Sequence, residues 1–143
     1  MIYADYNGSA PMCDEVKKFF INRIEKGPFA NPNAIHHLGV KTLSAMENSR
    51  SVCAKALGCS SNQIIFNSGS TEGISQVFFS LLSKAKQQGK THFIISSIEH
   101  SAVVNNAKFY AEEYGLILKI LPCHTNGVVD LETLKKWTKE FGT

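Results

Sequence analysis

Asn67-Ser68-Gly69-Ser70-Thr71-Glu72-Gly73 combines two glycines, three hydroxyl residues and an acid where an apolar run gives way to a helical pattern. Those residue types suit a phosphate group. Gly69 lets the backbone approach closely, Ser70 and Thr71 can donate from their hydroxyls, and the free N–H groups of a first helical turn present positive partial charge to an anion. Glu72 can stabilise the same helix end. An ordinary Ser/Thr cap gives the same local pattern, so the turn alone leaves both readings open. The two common nucleotide fingerprints, GxxxxGK followed by Ser or Thr and GxGxxG, are absent, which turns attention to a phosphate-bearing cofactor that is not a nucleotide.

A second group, Ser96-Ser97-Ile98-Glu99-His100-Ser101-Ala102-Val103, falls at the carboxyl end of the next strand candidate. Open α/β sheets gather their ligands at that edge. An imidazole there can cover an aromatic ring or move protons near neutral pH, and it can equally cap the helix that follows. His36 and His37 are adjacent in a loop and lack chelating helical spacing, so no metal pair is expected of them. Cys13, Cys53, Cys59 and Cys123 lie far apart without CxxC spacing, which predicts reduced, mostly packed thiols and neither a zinc site nor a redox pair.

The elements that must position these residues alternate. Gln63–Asn67 (QIIFN) is a strand candidate, and Thr71–Gln87 carries Ile74, Val77, Phe78, Leu81 and Leu82 at helical spacing. Thr91–Ser97 is the next strand, and Ser101–Tyr114 the next helix, with Ala102, Val103, Ala107, Phe109 and Tyr110 for burial and Gly115 as its stop. Leu116–Leu121 is a third strand, Asn126-Gly127 a turn, and Asp130 the N-cap of a helix reaching about Phe141. Upstream, Asp14–Lys26 and Leu38–Leu57 are helices joined by a Gly/Pro/Asn-rich loop from Gly27 to Asn33. Strands alternating with helices predict an α/β fold around a mostly parallel sheet.

Composition sets the outer bounds. The 143 residues are 43% apolar and 19% charged, with a net charge of +3 and lysines scattered among acids. A chain of this length buries roughly two-thirds of its unfolded surface, enough for one modest core. The scattered charge argues against a nucleic-acid surface, and no apolar run approaches the roughly 20 residues a membrane helix needs. Neither a basic nor an apolar leader opens the sequence, so a cytoplasmic location is expected.

The motifs together resemble the class V aminotransferase family and, within it, the cysteine desulfurases. Tyr3-Ala4-Asp5-Tyr6-Asn7-Gly8-Ser9-Ala10-Pro11 resembles the family's opening segment, and Asn31-Pro32-Asn33-Ala34-Ile35-His36-His37-Leu38-Gly39 its NPSSxHxxG loop. Ser49-Arg50, Leu57-Gly58 and Ile64-Ile65-Phe66 lead into a turn similar to the family's SGATE type. Glu99-His100-Ser101-Ala102-Val103 and Asn126-Gly127-Val128-Val129-Asp130 complete the series in the family's order. The chain departs from the pattern at Asn7-Gly8-Ser9-Ala10, where NATT is typical, at Asn33-Ala34 in place of two serines, and at Ser75, where asparagine is common. Substrate choice therefore stays open between cysteine desulfurase, selenocysteine lyase and aminotransferase, with a non-catalytic phosphate- or partner-binding role as a further reading.

The resemblance implies a single incomplete domain of the fold-type I, PLP-dependent transferase class: residues 1–40 as an N-terminal arm, helix and loop, and residues 41–143 as the N-terminal part of the cofactor-binding large domain. It implies pyridoxal 5'-phosphate as cofactor, with Thr71 and the backbone of Ser70 holding its phosphate, Gly69 permitting the turn, and His100 stacking on the ring and serving as a proton carrier. It implies L-cysteine as substrate, a sulfur-acceptor protein as partner and a homodimer when complete. The family's ring-nitrogen acid, its cofactor-attaching lysine and its sulfur-accepting cysteine all come later than residue 143, so Cys59 and Cys123 are not candidates for that nucleophile and no activity is expected of this stretch by itself. Three strands without the later ones leave a sheet edge uncovered, which predicts marginal stability or self-association. Size-exclusion chromatography and a thermal scan check this: a monomer melting in one cooperative step well above about 45 °C would contradict it.

Overall fold

The first helix, α1 (Asp14–Lys26), forms where its charges favour one, with Asp14 and Glu15 in the first turn and Arg23 and Lys26 in the last. In this computed structural model, which describes residues 2–141, Gly27 ends α1 at φ 72° and returns its N–H to the Arg23 carbonyl at 3.0 Å. No residue of α1 is buried, and Phe19, Phe20 and Ile24 are exposed. The second helix, α2 (His37–Leu57), starts one residue earlier than its apolar spacing predicts, because His36 supplies a cap: its Nδ1 accepts the Gly39 N–H at 3.2 Å. Gly58, at φ 68°, ends it.

The loop before α2 depends on Gly39. Asn31 folds the loop on itself, its Oδ1 accepting the Asn33 N–H at 2.9 Å and its carbonyl the Ala34 N–H at 3.0 Å. That places backbone oxygens against the first turn of α2. A Cβ at position 39 would stand 2.2 Å from the Ala34 carbonyl oxygen and 2.9 Å from that of Asn31. The buried glycine is therefore what lets the loop lie on the helix.

One expected strand does not form. Ser61–Gln63 is a short 3-10 turn, and residues 64–67 continue as irregular chain although Ile64 has extended angles, φ −91° and ψ 123°. β-Branched residues favour an extended backbone, but a strand also needs a ladder. Here the Ile64 carbonyl is taken by the Arg50 guanidinium, and Ile65 is exposed. The described chain divides into two compact units between Ile65 and Phe66.

The second unit contains the sheet. Helix α3 (Ser70–Gln87) is followed by β1 (His92–Ser96), α4 (Ser101–Tyr114), β2 (Ile117–Leu121) and α5 (Leu131–Phe141). β1 and β2 pair in parallel, with His92 opposite Ile117 and Ser96 opposite Leu121. The sheet has two strands among the described residues instead of the three expected. α4 is the crossover that parallel pairing requires.

Leu82, Tyr110 and Leu116 form the buried cluster, with Phe78, Phe93 and Tyr114 packed against it. The Tyr110 ring stacks on Phe78 at 6.4 Å and on Tyr114 at 5.8 Å, while its hydroxyl meets Ser75 Oγ at 3.1 Å. A buried phenol needs such a partner, and here the partner ties α4 to α3. Val77, Leu81 and Phe109, expected in the core, are exposed, since the apolar stripes are wider than the contact the two helices make. Asp130 caps α5 as its position predicts, its Oδ1 accepting from the N–H groups of Glu132 at 3.1 Å and Thr133 at 3.0 Å.

Helix propensity alone favours alanine over glycine at position 39 by about 1 kcal/mol. The collision with two backbone oxygens outweighs it, so Gly39→Ala is expected to destabilise the chain by about 1–3 kcal/mol. Chemical denaturation checks the sign; an unchanged or raised midpoint would mean the loop yields freely.

Candidate functional site

The turn into α3 is held by hydrogen bonds among its own residues. The Ser68 N–H and Oγ–H both donate to Glu72 Oε2, at 2.8 and 2.5 Å, and Gln76 Nε2 donates to Glu72 Oε1 at 2.9 Å. The Ser68 hydroxyl, and next the Ser68 N–H, hold the Glu72 carboxyl below its ordinary range, with partial desolvation opposing them. Asn67 Oδ1 accepts the Gly69 N–H at 3.1 Å. The outcome is a charged carboxylate bent back over the preceding loop, with both oxygens engaged.

Two glycines in this turn have distinct reasons. Gly69, at φ 159° and ψ 175°, occupies a backbone region that residues with a side chain rarely enter, although a Cβ there would meet nothing within 4 Å. At Gly73 space decides instead, because a Cβ would stand 2.8 Å from Asn67 Nδ2. No side chain caps α3, and the first backbone bond it closes is from the Gly73 N–H to the Gly69 carbonyl at 3.1 Å. The N–H groups of the preceding residues, Ser70 to Glu72, thus begin the helix without a carbonyl inside it. Ser70 and Thr71 are exposed.

His100 stands just beyond the carboxyl end of β1. Its Nδ1 accepts the Ala102 N–H at 3.1 Å, making it the N-cap of α4. That bond requires an unprotonated Nδ1, so in the neutral ring the proton sits on Nε2. Ser96 Oγ–H donates to Glu99 Oε1 at 2.8 Å, closing the turn that leads to His100. The capping alternative seen in the sequence is therefore realised, and the imidazole remains exposed.

The starts of α3 and α4 come together across an apolar cleft of about 320 Å³ lined by Ser70, Gly73, Ile74, Val77, Phe78 and Val103. Val103 is tied to His100, whose carbonyl accepts its N–H at 2.9 Å. Of the expected site residues, Ser70 lines the cleft directly. Gly69, Thr71 and His100 adjoin its walls in the chain without lining it.

The sequence reading missed two positioning contacts. The Ser68–Glu72–Gln76 chain was visible as successive i, i+4 pairs of hydrogen-bonding residues. Ser75 with Tyr110, 35 positions apart, carried no local signal. The cysteines need a correction: Cys13 and Cys53 are exposed, and only Cys59 and Cys123 are partly buried. Cys13 precedes α1 as its N-cap residue, and Cys53 lies on an exposed side of α2. His36 caps α2, and no group of three or more metal-ligating side chains occurs among the described residues. No described helix is long and apolar enough to cross a membrane.

Residues 2–140 match the family model of the class V aminotransferases. The chain belongs to that family. It is 39% identical over 139 residues to a cysteine desulfurase IscS of Dictyoglomus turgidum, covering 94% of this chain and 34% of the relative. To the cysteine desulfurase IscS of Rickettsia prowazekii it is 36% identical over 135 residues, covering 94% and 32%. A solved NifS-like protein superposes with a TM-score of 0.83 at 32% identity over 92% of this chain and 35% of that one. A structure of SspA in complex with cysteine gives a TM-score of 0.81 at 30% identity, over 94% and 38%. The class V chain described here thus spans about a third of the length of these relatives, and its α/β fold, helices around a small parallel sheet, is that of the corresponding portion of a fold-type I enzyme.

The lowered Glu72 carboxyl makes the turn sensitive to acid. Its folded value lies below the unfolded one, so its contribution is complete above the ordinary glutamate range and lost as pH falls through the folded value. The Ser68 amide resonance is expected to titrate with a midpoint below that range and to stop titrating in Glu72→Gln. A midpoint at or above the ordinary value would show that the carboxylate is not held by Ser68.

Proposed function

We propose that this chain is the N-terminal part of a pyridoxal-phosphate-dependent cysteine desulfurase, the enzyme that converts L-cysteine to alanine and carries the sulfur as a persulfide. The observation that carries the reading is the uncapped first turn of α3, which in this class V chain begins with a glycine-only backbone conformation and two exposed hydroxyl residues. Similarity to cysteine desulfurases over nearly the whole chain, and to a structure solved in complex with cysteine, supports the choice of reaction and substrate.

The residues fit the cofactor. Its phosphate would be held by the backbone of Ser70 and the hydroxyl of Thr71, with Gly69 shaping the turn and the first-turn N–H groups adding positive partial charge. Glu72 is a carboxylate near that anion, and its engagement with Ser68 and Gln76 turns its oxygens to donors of the protein. His100 would cover the ring, offering an Nε2 proton while Nδ1 stays committed to Ala102. Bound there, pyridoxal phosphate supplies the electron sink for carbanion chemistry at the substrate. The cleft walls formed by Ile74, Val77, Phe78 and Val103 would keep water from one side of the site.

In the same reading, the lysine that attaches the cofactor, the acid at its ring nitrogen and the cysteine that receives sulfur lie outside these 143 residues, so the chain is inactive by itself. The whole enzyme is a cytoplasmic homodimer that hands its sulfur to an acceptor protein. Residues 1–40 serve as arm and loop, and residues 41–143 as the first part of the large domain.

Titration of the chain with pyridoxal phosphate, followed by difference absorbance, tests the site. Thr71→Ala is expected to weaken binding by about tenfold or more, the effect of removing one hydrogen bond to a charged group. Pyridoxal lacking the phosphate is expected to bind more weakly still. Equal binding of both compounds, with no effect of Thr71→Ala, would sink the assignment of the turn. Formation of alanine from cysteine by the chain alone, supplied with pyridoxal phosphate, would sink the proposal that it is inactive.

A further inference from the structure

A second hollow, of about 310 Å³, lies far along the sequence from the α3 turn and is lined by Lys26, Pro28, Phe29, Ala30, Leu38 and Lys41. Lys26 is the last residue of α1 and Lys41 stands in the second turn of α2, so two cations reach one space from two different helices. Neither is in an ion pair among the described residues, in contrast to Lys17, Arg50 and Lys135, which pair with Asp14, Glu47 and Glu132. No carboxylate lines the hollow, α2 has no acid in its first turn, and Glu25, beside Lys26 in sequence, is not part of the wall. Two lysines thus line one concavity whose wall, among the described residues, contains no carboxylate, and their charge raises its potential.

Between the charges the wall is apolar. Pro28 and Ala30 are partly buried, while Phe29 is 80% exposed and leaves most of its ring in water. The volume is at the lower end of the range for small-molecule sites, about 300–1,000 Å³. Two separated cations on an apolar wall match two separated carboxylates on an apolar body better than one compact anion, because each ammonium then meets its own partner while the ring covers Phe29.

We propose that this hollow binds a small dianion with an apolar ring, of the aromatic dicarboxylate class. The site is independent of the α3 turn, and its failure leaves the cofactor reading intact. Isophthalate is the probe, followed on the full chain by amide chemical shifts. Saturable shifts are expected at Ala30, Leu38 and Lys41, and Lys26→Gln and Lys41→Gln are each expected to weaken binding by up to about fivefold, the scale of an exposed charge pair. Phe29→Ala should abolish the preference for isophthalate over succinate, while Lys108→Gln on α4 should change nothing. The proposal is overturned by shifts confined to Ser70–Gly73, by shifts that do not saturate, by equal binding of benzylammonium, or by an equal loss in Lys108→Gln.

Discussion

Parallel pairing of β1 with β2 is the constraint on which the second unit depends. Two parallel neighbours cannot be joined by a tight turn, so the chain must travel back along the sheet, and α4 is that return. With Ser96 opposite Leu121, both strands end together, and the loop after β1 has to deliver the start of α4 at the shared carboxyl edge. His100 is there because the crossover begins there. Tyr110 then fixes how α4 lies: its ring packs among Phe78 and Tyr114, and its hydroxyl meets Ser75, so the crossover helix is registered against α3 by both packing and a hydrogen bond. The cleft between Ser70 and Val103 follows from that registration.

The elements were legible because each carried its own period and its own stop. α1 and α4 have the limits that apolar spacing and Gly27 and Gly115 indicate, and Asp130 caps α5 as an aspartate before a helical pattern should. What failed was whatever depended on a distant partner. Ile64-Ile65-Phe66 has the composition of a buried strand, yet a strand is a relation between two segments, and the Ile64 carbonyl is taken by Arg50 instead. Val77 and Leu81 have the spacing of a core face, but spacing says only which side of a helix is apolar, not how much of it a neighbour covers. The exposed Cys53 of α2 fails for the same reason.

The site residues were visible as types and positions, while their interactions were only partly so. Glu72 drew notice as an acid in a first helical turn, where it would act on the helix dipole. Its carboxylate in fact binds Ser68 and Gln76, which makes it the fastener of the loop before the helix. His100 shows a different ambiguity. Stacking on a ring and capping a helix looked like competing roles, but they use different parts of the side chain. The cap engages Nδ1 and leaves the ring faces and Nε2 to other work, and it also fixes which nitrogen carries the proton.

α1 and α3 both begin without a side-chain cap, and what sets the turn into α3 apart is the glycine backbone at φ 159° beside two exposed hydroxyl residues. α2, α4 and α5 are each started by a side chain that accepts a first-turn N–H: His36, His100 and Asp130. Against glycine such a cap is worth roughly a few tenths of a kcal/mol, and serine and threonine flank the α3 start in sequence. Yet Gly69 holds the cap position without a side chain, and Glu72, the acid of that turn, is engaged elsewhere. A cap would satisfy the same N–H groups that an anion needs, so the two uses exclude each other. Leaving the turn uncapped sacrifices local stability, and the Ser68–Glu72–Gln76 bonds restore order to the loop without occupying the donors. That division of labour keeps the turn rigid and its N–H groups available, the combination a phosphate-binding start of a helix requires.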